Sequence, residues 1–214
     1  MNLSSVKELE TQNAADRKQL MLTLYKHLNQ SGIDVELNSE AATNFLDMTF
    51  QEAVIKVKNK NINIIRLVGL DSDGCGVPGN ITRFQYEVHL NKDISDEMIK
   101  KIDAETRLIK EGKIIGFGGK VVGVNWVGNE LAKRLNDNTE LSESMLKCTK
   151  SWSHMEFNIQ ATSAQVDILG PRFVEPDRIV ELYETESKSD IECCLFGFQI
   201  VEKIAGQIRD FVSG

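Results

Sequence analysis

Little in this chain would staple it shut or hold it in a lipid bilayer. It has four cysteines and three prolines in 214 residues. No apolar run approaches the roughly 20 residues that a membrane helix needs. The segment Met1 to Glu10 is polar and has no signal-peptide core. The cysteines stand at 75, 148, 193 and 194, so there is no Cys-x-x-Cys pair. That excludes a zinc ribbon or a thioredoxin-like motif. Adjacent Cys193 and Cys194 are poorly placed to pair with each other. Reduced thiols in a cytoplasmic protein are therefore the expectation.

Basic charge is also scarce. Lys and Arg number 25 against 32 Asp and Glu, for a net charge of −7. The acidic excess gathers after Trp126, with Glu175, Asp177, Glu181, Glu184, Glu186, Asp190 and Glu192 in one stretch. Lys56, Lys58 and Lys60 form the one short basic run. A duplex-binding surface needs clustered cations to neutralise phosphates, so the balance argues against a nucleic-acid partner. Such a run reads as a solvated edge.

What is present is an ordinary globular composition, with 41% hydrophobic and 27% charged residues. A compact body of this length has a radius of gyration of about 17 Å and needs neither metal nor disulfide to fold. Leu20, Met21, Leu24 and Leu28 fall on one helical stripe that ends near Gly32. Ala42, Phe45, Leu46, Phe50, Ala53, Val54 and Val57 keep helical spacing and predict a second helix from Ser39, although Ala53 to Lys58 also alternates like a strand. Ile62 to Leu70 is apolar on both faces, as in a central strand. Ile81 to Leu90 alternates, with Phe84, Tyr86, Val88 and Leu90 inward and Arg83, Gln85, Glu87 and His89 outward. These two strands predict a hairpin with a long loop.

Ser95, followed by Asp96 and Glu97, caps a helix predicted to run to Gly112 on a seam of Ile94, Met98, Ile102 and Ile109. Lys113 to Phe117 and Lys120 to Trp126 read as strands around Gly118-Gly119, and short helices near Val127 to Leu135 and Leu141 to Cys148 follow. His154 to Ala161 and Ala164 to Leu169 alternate again, ended by Gly170-Pro171. A short helix from Pro176 and a long apolar stripe from Ile191 to Val212 complete the chain.

Strands in adjacent pairs separated by helices predict an α+β fold: a mostly antiparallel sheet of about five to six strands, a mixed sheet being the variant, with N-terminal helices and a long C-terminal helix packed on it. Residues 1–60 are expected to form a helical segment, serving as an arm or oligomerisation element, and 61–214 the core domain. A stripe wider than the core can cover would favour a homodimer.

Three features could carry chemistry. Asp71 and Asp73 stand two apart in the Gly-rich loop after an apolar strand, where paired carboxylates could share a divalent metal. The fragment Leu67 to Gly74 resembles the first motif of haloacid-dehalogenase-like phosphotransferases. The resemblance implies Asp71 as nucleophile, Asp73 as general acid/base and Mg²⁺ between them. It is confined to that fragment, and a strand follows where that family has a helix. Cys75, between two glycines, has acidic rather than basic neighbours, which disfavours a thiolate.

The third feature is a pair of strand faces. Glu87 and His89 lie at i, i+2 on one outward face, and His154 and Glu156 repeat the arrangement on another. Were those strands neighbours, the four side chains could bind a metal or do acid/base work. Gly116, Gly118, Gly119 and Gly123 lack the helix-opening third glycine of a dinucleotide fingerprint, and a turn, bulge or close backbone approach explains them. The expectation is a binding or interaction domain whose partner is a small molecule or a protein. The alternative is a metal-dependent hydrolase or phosphotransferase at Asp71 and Asp73, or at the Glu87, His89, His154 and Glu156 set.

Overall fold

A computed structural model describes residues 18–38, 42–45, 48–51, 53–69, 82–112, 119–149, 156–173 and 197–214. Its organising element is one antiparallel sheet of eight strands, in the order β1-β4-β5-β6-β10-β9-β7-β8, beside a small two-stranded sheet of β2 and β3. In chain order, helix α1 covers 18–30. Then come β1 (Val35–Asn38), β2 (Ala42–Phe45), β3 (Met48–Gln51), β4 (Val54–Val57), β5 (Ile64–Gly69) and β6 (Thr82–His89). Next are α2 (Asp96–Ile102), β7 (Ala104–Glu111), β8 (Lys120–Gly128), α3 (Glu130–Asn136) and α4 (Thr139–Thr149). The last elements are β9 (Asn158–Ala161), β10 (Gln165–Phe173) and helix α5 (Phe198–Ser213). The class is α+β as expected, with more strands than the alternation had suggested.

Every described helix buries its stripe in one core. Leu20, Met21, Leu24 and Leu28 of α1 cluster with Phe198, Ile200, Val201, Ile204, Ala205 and Ile208 of α5, and with Leu131, Leu135, Leu141 and Met145 of α3 and α4. They meet the apolar face of the sheet: Ile55, Ile65, Leu67, Phe84, Tyr86, Val88, Val166, Ile168, Ile159 and Trp126. Helix α1, β1 and β4 thus share their core with residues beyond 61, and β4 pairs directly with β5.

Helix α5 also fastens the turn before β5. Glu202 accepts hydrogen bonds from the backbone N–H of Asn61 and Ile62 at 2.7 and 3.2 Å, and Arg209 donates to the carbonyl of Asn61. At the far edge of the sheet, the amide of Asn136 accepts from the N–H of Trp126 and donates to its carbonyl, each at 2.8 Å. This closes part of an edge strand with a side chain rather than another strand.

Several expectations are corrected. Residues 42–45, 48–51 and 54–57 are not helical but form β2, β3 and β4, because their apolar spacing also suits short strands and the ladders decide. The helix capped by Ser95 stops at Ile102, and Asp103 turns into extended backbone with ψ 124°. Residues 104–111 become β7, held along its length by β8, and Ile109 is exposed rather than on a helical seam. Strand β8 therefore pairs with β7, while 113–118 lie outside the described residues.

Strand β10 does not end at Gly170-Pro171 but runs to Phe173 through a register shift between Leu169 and Arg172, where a proline without an N–H is tolerated. Strand β5 buries Ile65 and Leu67 on one face only; Ile64, Arg66 and Val68 are half-buried. Reduced thiols do not hold throughout, since Cys148, buried at the end of α4, is disulfide-bonded. The hairpin of β5 and β6 forms in the expected antiparallel pairing. No described helix is long and apolar enough to cross a membrane.

Candidate functional site

The sheet register lays out the polar face as rows of side chains. Ile64 stands opposite Glu87, Glu87 opposite Asp167, and Asp167 opposite Gln160. One step along, Arg66, Gln85, Leu169 and Asn158 form a second row, and His89 with Gln165 begins a third. Alternation alone puts these residues opposite the helix-covered face.

Solvent-facing alternation would leave Glu87 wet, yet it is 4% exposed, and Arg83 on the same strand face is 7% exposed. A carboxylate taken from water must be neutralised or hydrogen-bonded. Here Arg66 of β5, diagonal to it across the β5–β6 ladder, donates from Nη2 to Glu87 Oε1 at 2.5 Å. His89 Nε2 lies 3.0 Å from Glu87 Oε2. Both oxygens are thus engaged, one by a guanidinium and one by an imidazole. Arg83 donates from Nε to the carbonyl of Gly170 at 3.1 Å, at the irregular stretch of β10. Gly170 packs against Phe84 and Tyr86, and a Cβ added to it would meet the Tyr86 ring at 3.4 Å, an ordinary packing contact. Asp167, directly across from Glu87, accepts from Gln165 Nε2 at 2.5 Å through Oδ1.

Of the residues singled out from sequence, the structure joins Glu87 and His89. Glu156 is exposed and is not brought to them. Strand β10 stands between β6 and β9, and the register sets Glu156 four residues along from the level of Glu87. That is a backbone separation of about 16 Å. Asp71, Asp73, Cys75 and His154 lie outside the described residues. Among the described residues, no three of His, Cys, Asp and Glu are grouped so as to hold a metal ion.

Arg66 and Asp167 were missed in the sequence. Both sit at alternating polar positions, and only the strand order shows that they flank Glu87. Of the glycine cluster, Gly119 sits where a Cβ would lie 2.2 Å from the carbonyl oxygen of Gly112, a close backbone approach at the β7–β8 hairpin.

No family model, curated protein or solved structure matches the chain. What the geometry defines is a class: an α+β domain with helices on one face of a broad antiparallel sheet and a charge-neutralised polar network on the other.

Proposed function

We propose that the protein is a binding domain that holds a polar small molecule, or a segment of another protein, on the polar face of its sheet around Glu87. The observation that carries the reading is the Arg66–Glu87–His89 network. It neutralises a buried carboxylate and fixes the side chains around it. The amides of Gln85 and Gln160 and the second oxygen of Asp167 make no hydrogen bond among the described residues, so donors and acceptors remain for a ligand. Strands hold such groups at fixed spacings of about 5 Å, which suits recognition without rearrangement.

The Glu87–His89 pair favours a second reading. A carboxylate that orients an imidazole is the arrangement of a general base, and a hydrolase would use it with the other ring nitrogen turned to substrate. One experiment separates the two. Isotope-labelled protein titrated with a library of neutral polar fragments should show amide shift changes gathered at 64–67, 83–89 and 158–169, and these should weaken in Asp167→Ala. Changes scattered elsewhere would overturn the binding site. Turnover of p-nitrophenyl acetate or p-nitrophenyl phosphate that disappears in His89→Ala would replace it with the hydrolase.

A further inference from the structure

A cleft of 470 Å³ opens where the turn after β6 meets the last turns of α5. Its size falls in the range of small-molecule sites. Leu90, Ile94 and Val212 line it and pack against the core, so its floor is apolar. Lys92, Asp93 and Arg209 supply its charges.

Arg209 is half-buried, and its partners are all uncharged. Nε and Nη2 donate to the carbonyl of Asn61 at 3.1 and 2.8 Å, and Nη2 donates to Asn63 Oδ1 at 2.9 Å. Those bonds use three of the five guanidinium N–H groups, leaving both on Nη1. Neither Arg209 nor Lys92 forms an ion pair among the described residues, whereas Arg134, Lys101 and Lys203 do. The lining side chains sum to a single positive charge. The carboxyl end of α5 opposes that charge, so an anion would be held by direct contact with the guanidinium and the ammonium.

We propose that this cleft binds a small amphipathic carboxylate, with its head on Arg209 Nη1 and Lys92 and its hydrocarbon tail on Leu90, Ile94 and Val212. A guanidinium held by neutral acceptors, beside a second cation and above an apolar floor, matches a ligand with one anionic end. The cleft's lining includes none of Arg66, Glu87, His89 and Asp167, and the proposal does not depend on the reading given to that face.

Calorimetric titration of the full chain with sodium octanoate should give saturable binding, and 1-octanol should bind about tenfold more weakly or worse, the loss of one charge-assisted contact. Lys92→Glu, at an exposed position, should weaken octanoate by about tenfold with an unchanged melting temperature. Arg209→Gln should weaken it further; if that variant fails to fold, Lys92→Glu still decides. Asp167→Ala should leave octanoate binding intact. Non-saturating heats, equal affinity for octanol, or octanoate binding indifferent to Lys92→Glu would overturn the proposal.

Discussion

Replacing Glu87 by Gln tests whether the network on the polar face is an energetic unit. The substitution keeps the volume, removes the charge, and leaves an amide that can serve only one of its two partners as an acceptor. Two charge-assisted contacts are at stake, to Arg66 at 2.5 Å and to His89 at 3.0 Å. Breaking a fully buried pair costs about 3–5 kcal/mol. Here Arg66 and His89 side chains are 29% and 46% exposed, so water screens both partners. Relief of the like-charge contact with Asp167 opposite returns part of the loss.

The net expectation is about 1–2 kcal/mol of destabilisation. For a chain of this length that is a fall of about 2–8 °C in melting temperature. Urea unfolding of Glu87→Gln, Arg66→Gln and the double variant should give a coupling energy of about 1 kcal/mol between the two positions, because the second change removes a partner already lost. His89→Ala should cost less than either. Additive losses, or a Glu87→Gln variant as stable as the parent, would refute the reasoning and with it the claim that Glu87 is held by these neighbours.

Other expectations follow from single positions. Gly128 has φ +150°, and an added Cβ would lie 2.3 Å from the carbonyl oxygen of Asp103. Gly128→Ala should therefore destabilise by about 1–3 kcal/mol in urea, and a neutral result would mean that the crossing of β7 and β8 is looser than described. Burial raises the pKa of the Tyr86 phenol well above its ordinary value. A group raised on folding makes its full contribution below its unfolded pKa, near 10, and loses it as pH climbs toward the folded value. Tyrosinate absorbance should accordingly show the signal that is missing from Tyr86→Phe only as the parent protein unfolds at alkaline pH. Ionisation of Tyr86 in folded protein would contradict its burial. Cys148 should resist alkylation in denatured, unreduced protein and become labelled after reduction, as read by peptide mass mapping. Labelling without reductant would remove the disulfide.

Much of the fold was legible because it depends on local periodicity. The stripe of α1 from Leu20 to Leu28, the cap at Ser95, the alternation of Phe84, Tyr86 and Val88, and the stripe of α5 each express a side-chain repeat that burial then rewards. The failures fall where one apolar spacing serves two structures. The segments 42–45, 48–51, 54–57 and 104–111 carry apolar positions compatible with a helix, and their strand state comes from partners: β2 with β3, β4 with β1 and β5, and β7 with β8 and β9. Of the candidate site, Glu87 and His89 were legible as neighbours on one strand face.

By itself, then, the sequence determined which segments have an apolar side, where the best-marked helix begins, and that Glu87 and His89 share a face. The tertiary structure alone decided that β10 separates β6 from β9, that Arg66 and Asp167 become the flanking charges, and that Glu156 does not. Side-chain periodicity is a property of consecutive residues, so a linear chain displays it. Strand order depends on contacts between residues far apart in the chain, and the free energy that selects it comes from the whole core at once.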